Sequence, residues 1–277
     1  MYHFFYDEQA GETGRDNNYM EIHDFEEQIK YLADNNYYVP SWDELEDFVN
    51  GKIGLPENSV IITVDDGDES FYKLAVPVLE KYNFYATSFL ITSWYPDRPE
   101  KYTSDVIDYQ SHSNDMHKAG SDGKGAILTI DYEAACNDLN ESKRITGDQC
   151  KIFCYPFGHY NERAKQILKD CGFTMAFTVE GGYVTPGMDL YQLPRVRMSK
   201  GISLNSFIAK IKWCFKGTFE VSCAFWVFCR EKKLDISEKS NTFKRGGFWD
   251  CSECIVTITS WFEGSGAQVG AYFFLKY

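Results

Sequence analysis

The chain has 277 residues, a formal net charge of −13, 44% apolar and 17% aromatic residues. That length can bury a real core as one large α/β domain or two modest ones, and the apolar share excludes a disordered chain. The acidity argues against nucleic acid or an anionic membrane surface as partner, both of which call for clustered Lys and Arg.

No run of about 18 uncharged apolar residues is present, so no membrane span is expected. The opening MYHFFYDEQAGE has neither the basic start nor the apolar centre of an export signal. It reads as the middle of a strand, which raises the expectation of a segment upstream. Asp24-Phe-Glu-Glu27 reads as a capping box for an amphipathic helix over 24–35, with His23 just before it as a surface or capping residue. Ser41-Trp-Asp-Glu44 repeats the signal, and Gly51 is placed to end the second helix.

Residues 59–64 form a β-branched run of the kind a buried parallel strand shows, and a helix is expected at 69–82. Strands follow at 85–91, 106–111, 151–155 and 174–179, with helices at 131–145 and 161–171, the latter stopped by Gly172. Such alternation implies a mostly parallel sheet, open or closed into a barrel, whose chemistry sits at the carboxyl ends of its strands. Those ends carry Asp65-Asp66, His112 and Pro156-Phe157-Gly158, with His3 a fourth candidate.

Only five histidines occur, yet two lie in QSHSNDMHKAG. On an ideal helix, five residues turn through about 140°, so His112 and His117 share a site only if His112 ends a strand and His117 follows a turn. Two imidazoles and a carboxylate suit a borderline divalent metal such as zinc, with cobalt, nickel and iron as alternatives, and leave room for water. Bound there, the cation would also keep the second, neighbouring carboxylate ionised and ready to act as a base. Taken alone, Asp-Asp-Gly after a strand is equally an ordinary turn, and two histidines five apart are a weak signal. Their order at successive strand ends makes the argument.

Thr63-Val64-Asp65-Asp66-Gly67 resembles the T-F-D-D-G motif of NodB-type polysaccharide deacetylases, the fourth carbohydrate esterase family, and HSNDMH resembles their metal-binding motif. Histidines five apart match the branch that deacetylates poly-β-1,6-N-acetylglucosamine. Met1-Tyr2-His3, Tyr155-Pro156-Phe157-Gly158 and Leu193-Pro194-Arg195-Val196 resemble three further motifs of that branch. The resemblance spans residues 1 to about 208 and implies an α/β fold, a distorted (β/α) barrel of the polysaccharide deacetylase type. It implies Asp65 as general base and Asp66, His112 and His117 as metal ligands. Tyr155, Pro156, Phe157 and Arg195 would bind substrate or the oxyanion, with the Phe157 N–H as a donor and Arg195 either orienting the carboxylates or forming a surface ion pair. The expected partner is an N-acetylated polysaccharide or oligosaccharide, and the expected place of action is outside the cell or at its surface.

The match has departures. Val64 replaces Phe, no Arg precedes the Pro motif in CKIFCYPFG, and the family's late Leu-x-His is missing, which leaves His3 as the candidate acid or substrate contact. Trp94 and Tyr95 could equally stack on sugar or pack in the core. His159 reads as a loop residue, Cys154 and Cys171 as small apolar fillers. A carbohydrate-binding protein that keeps the barrel without the chemistry is the alternative. Phosphoryl transfer at Asp66-Gly-Asp68 would leave both histidines unexplained.

Five of nine cysteines crowd into residues 211–277, where nine basic residues face seven acidic ones; residues 1–210 hold 19 basic against 34 acidic. The expected division is therefore a 1–210 deacetylase-like domain and a 211–277 tail, rich in Cys and aromatics, that is either a small appended module or foreign to the domain. Cys251-Ser-Glu-Cys254 has no second closely spaced pair, so it makes a poor zinc ribbon.

Overall fold

The computed structural model describes residues 1–212 and the backbone of three strands between 248 and 274. The chain divides into two compact units, Met1–Trp213 and Cys214–Tyr277.

In the first unit β1 (Phe4–Tyr6) pairs in parallel with β2 (Tyr19–Glu21), a small sheet with no counterpart in the sequence reading. Next comes α1 (Ile22–Asp34), which starts earlier than expected: the Glu21 carboxylate caps it by accepting from the His23 and Asp24 amides. Asp24 therefore lies in the first turn and is no N-cap, because Glu21 satisfies the free amides first. The second expected cap is present, with Ser41 and Glu44 closing a capping box on α2 (Trp42–Val49).

After α2 the chain enters β3 (Ile62–Asp66), all five residues of which are buried. The acid pair is thus the end of the strand rather than the turn after it. A π-helical turn at Phe71–Ala75 leads into α3 (Val76–Tyr82), in place of the single helix expected at 69–82. The remaining elements are β4 (Ala86–Leu90), a short α4 (Arg98–Lys101), β5 (Ile107–Ser111), α5 (Tyr132–Thr146), β6 (Ile152–Cys154), α6 (Glu162–Asp170), β7 (Met175–Gly181), β8 (Leu193–Arg195) and α7 (Leu204–Ile211).

Strands β3 to β8 form one parallel sheet in sequence order. It is distorted where β5 and β6 diverge and share a single register pair, Ser111 with Phe153. There the buried Gln110 amide replaces the missing ladder: its Oε1 accepts from the Lys151 and Ile152 amides at 2.9 and 2.8 Å. Leaving those N–H groups unpaired inside the fold would cost roughly 1–3 kcal/mol each.

The first two residues connect the two ends of this sheet. Tyr2 bonds β3 on one side (N to Thr63 O 2.8 Å, O from Asp65 N 3.0 Å), while Met1 bonds Val196 and Met198 just past β8 on the other. The sheet is thereby drawn round into the expected distorted barrel, and His3 is delivered to the carboxyl end of β3. The core between sheet and helices is aromatic at this end, where Tyr2, Phe5, Phe25 and Phe71 are fully buried together.

In the second unit β9 (Phe248–Cys251), β10 (Cys254–Ser260) and β11 (Val269–Phe274) form an antiparallel sheet with β10 central and Cys254 in register with Cys251. The stretch from 213 to 247 lies outside the described residues.

Candidate active site at the carboxyl ends of the strands

Strand ends β3 and β5 bring the acid pair and the histidines together. Asp66 Oδ1 lies 3.5 Å from His112 Nε2 and 3.6 Å from His117 Nε2. His112 leaves the end of β5, and its Nδ1 is 2.7 Å from the Cys154 carbonyl, which fixes Nδ1 as the protonated nitrogen and turns the Nε2 lone pair toward Asp66. His117 returns after a turn in which Ser113 takes a positive φ of 75°. That turn is anchored from α5: the Asp138 carboxylate accepts from the Asn114 and Asp115 amides at 2.8 and 2.7 Å.

Backbone chemistry explains the glycine of Asp-Asp-Gly. Gly67 has φ +84°, and a Cβ there would lie 2.3 Å from Leu90 Cδ1, so any side chain would be strained in the backbone and would have to displace Leu90. Asp66 itself is held at φ 76°, an uncommon state for a residue with a side chain and one that clusters at functional sites. Gly158 repeats the logic in the Pro motif, where a Cβ would meet Val179 Cγ2 at 2.3 Å.

The two acids stand in opposite electrostatic states. Burial alone would push the Asp65 carboxyl up, but Arg195 holds it well below the usual carboxylate range. The pair is bidentate and buried, with Nη1–Oδ1 and Nη2–Oδ2 both 2.7 Å. Arg195 is further fixed by Nε donating to Thr178 O at 3.0 Å. Asp66 has no such partner, and burial followed by the Asp65 charge pushes it up to about 7. Burial also lowers both imidazoles, His112 to about 3, so they are neutral near pH 7.

A metal fits this donor set. Separations of 3.5 and 3.6 Å are too long for hydrogen bonds, yet close to the ~3.4 Å that separates two ligands on a tetrahedral cation with bonds near 2.1 Å. The Asp66 carboxyl oxygen and the two imidazole Nε2 atoms face one another across a space that a cation could fill. Among the described residues, Asp66, His112 and His117 form one of three groups of metal-binding side chains whose donor atoms all lie within 4.8 Å of one another.

His3 Nε2 lies 3.9 Å from Asp65 Oδ2, so the structure places it beside the acid pair. Phe157 is half exposed, with φ 59°, and its ring packs on His117 with centroids 4.4 Å apart. Trp94, 52% exposed, meets His117 edge-on with ring centroids 5.4 Å apart, so it lies outside the core and available at the rim. Tyr155 departs from expectation: its ring is fully buried against Phe153 and its hydroxyl donates to Tyr191 O at 3.1 Å, so its side chain cannot reach substrate. Pro156 is buried as well and contributes shape. Arg195 is no surface ion pair. His159 accepts from the Gly125 amide at 2.9 Å and braces a loop.

Three site residues escaped the sequence reading. Cys154, more than the apolar filler its sequence context implies, donates to Asp65 Oδ2 at 3.5 Å and lies 3.0 Å from Arg195 Nη2; burial pushes its thiol well up, so it stays protonated. Arg98 is buried, donates from Nε to Gly67 O at 3.2 Å, and has its guanidinium 4.6 Å from the Tyr95 ring centre. Asp138 is the third. Each acts across the fold, and nothing in the residues beside it in the chain signals the partner.

Comparisons with known proteins bear on the fold that carries this site. Residues 52–176 match the family model described as polysaccharide deacetylase, and the chain is similar to the NodB-type deacetylases over that stretch. Within that class, the poly-β-1,6-N-acetyl-D-glucosamine N-deacetylase of Staphylococcus aureus (strain MRSA252) is 28% identical over 192 residues, covering 63% of this chain. The match spans 66% of that relative, just under two thirds of its length. The fold is shared with IcaB from Ammonifex degensii (TM-score 0.62, 24% identity) and with the Streptococcus pyogenes deacetylase PplD in complex with acetate (TM-score 0.63, 18% identity). Each comparison covers 76% of this chain and 97% of the other. Among the described residues, no helix is long and apolar enough to cross a membrane.

Proposed function

We propose that this protein is a metal-dependent hydrolase that removes acetyl groups from an N-acetylglucosamine-containing polysaccharide, acting outside the cell or at its surface. The observation that carries the reading is the split acid pair: an Arg-held, ionised Asp65 beside an Asp66 that faces two imidazole lone pairs. The 28% identical relative, named as a deacetylase of the β-1,6-linked polymer, supports the substrate class.

Asp66, His112 and His117 would hold the cation. Zinc suits two nitrogens and one oxygen, and when bound it would polarise the acetamide carbonyl and acidify water. Asp65, ionised across the neutral range, takes the proton of the attacking water, and Arg195 keeps its oxygens aimed. The Phe157 N–H is the proposed second donor to the developing oxyanion. Burial lowers His3, so it is neutral at rest and acts as a relay, receiving the proton gained by Asp65 and delivering it to the departing nitrogen. Acetate and a free amine result. Trp94 and Phe157 offer exposed faces to the sugar rings at the rim.

The test is acetate release from β-1,6- and β-1,4-linked N-acetylglucosamine oligomers, with and without a chelator. Release from the β-1,6 oligomer that stops with the chelator and returns with zinc supports the reading. Metal-loaded protein that binds the oligomer without releasing acetate overturns it in favour of a carbohydrate-binding protein.

A further inference from the structure

Away from the strand ends, α5 and the end of α6 bring two cysteines together. Cys136 lies in the second turn of α5 and Cys171 is the C-cap of α6; the Cys171 thiol donates to Cys136 Sγ at 2.8 Å. Both are free thiols and only partly buried, whereas Cys150 and Cys154 are buried.

We propose that Cys136 and Cys171 form a disulfide that fastens α5 to α6 when the protein meets an oxidising environment. A disulfide bond is about 2.04 Å long, so the sulfurs need to approach by less than about 1 Å, a movement side-chain torsions can supply. Both cysteines sit where an oxidant can reach them, and their elements are already held together by Lys143, whose Nζ donates to Cys171 O at 2.8 Å, and by Tyr132, whose hydroxyl donates to Asp170 at 2.7 Å. The backbone therefore need not rearrange to bring the thiols into reach.

The oxidant is a small-molecule disulfide. One cysteine loses its proton and attacks it, forming a mixed disulfide and expelling one thiolate. The second cysteine, also deprotonated, displaces the other thiolate and closes the Cys136–Cys171 bond. Two protein thiols are oxidised by two electrons, one external disulfide is reduced to two thiols, and both protons end on the released thiolates. Burial, followed by the contact with Cys136, pushes the Cys171 thiol up to about 12, so little thiolate exists at neutral pH and closure quickens as pH rises. The bond ties α5, whose Asp138 anchors the turn carrying His117, to its neighbour without touching the site itself.

The test uses the full chain, incubated with oxidised glutathione at pH 8 or kept in dithiothreitol, then alkylated, digested and mapped by mass spectrometry. A peptide linking Cys136 to Cys171 is expected, with a thermal midpoint roughly 5–10 °C above that of the reduced protein. Cys136→Ser and Cys171→Ser should each lose that peptide and most of the rise, which separates this bond from any formed by the tail cysteines. Cys136 and Cys171 both remaining fully alkylated after oxidation of folded protein, or an equal midpoint rise in either variant, would overturn the proposal.

Discussion

Asp65 and Asp66 are chemically identical neighbours, and their surroundings alone divide their work. Asp65 has a guanidinium on both oxygens; Asp66 has two neutral imidazoles and the charge of Asp65. If Asp66 is a ligand as proposed, cation binding below about pH 7 expels a proton from it, and the apparent affinity should fall about tenfold per pH unit there. Metal titrations from pH 5.5 to 8.5 check this, and a flat profile would contradict it. The Arg195 pair has the opposite sign. Because Asp65 is depressed, the stability it contributes is complete above its free value of 3.8 and is lost as pH falls below it. Arg195→Ala strands a buried carboxylate and should cost about 3–5 kcal/mol in denaturant unfolding. In whatever fraction stays folded and active, the acid limb of the rate profile should move up toward neutrality. The acids and histidines were legible in the sequence because each sits inside a short motif at a strand end. The bidentate role of Arg195 and the contact of Cys154 were not, since Asp65 lies 130 residues from one and 89 from the other.

Elements set how firmly the site is held. The turn from His112 to His117 makes no regular structure of its own; α5 anchors its backbone through the Asp138 carboxylate, and Met116 is buried in one core cluster with Ala135 and Leu139 of that helix. Asp138→Ala should weaken metal affinity roughly 10–100-fold while leaving the fold intact, as loss of a supporting contact behind metal ligands does. Calorimetric metal titration beside a circular dichroism melt checks both halves. The alternation of strands and helices was readable because hydrophobic period and capping residues agree through most of residues 20–180. It failed where local signals compete. Glu21 caps α1 ahead of Asp24, Ser70 starts a π-turn ahead of α3, and the parallel pairing of β1 with β2 leaves no local signature.

At the scale of the whole molecule, the barrel is drawn together by two residues. Met1-Tyr2 bond β3 on one side and the chain after β8 on the other, so the same contact that joins the sheet's ends places His3 at Asp65. The sequence could suggest the motif but not this geometry, because it depends on residues nearly 200 positions apart. The chain divides into units at Trp213 and Cys214, charge and cysteine content shift near 210, and on these two grounds we propose residues 1–210 as the catalytic domain. Limited proteolysis should cleave shortly after 210 and leave a fragment that binds metal and releases acetate as the full chain does. Loss of both with the tail would contradict that division.

The measurement that bears most directly on the central claim compares wild-type protein with Asp65→Asn, both zinc-loaded, on a β-1,6-linked N-acetylglucosamine oligomer. Metal content and acetate release are determined on the same samples. The account predicts an unchanged zinc stoichiometry with acetate release reduced by roughly 10²–10⁴. Undiminished release from the zinc-loaded Asp65→Asn protein would contradict it.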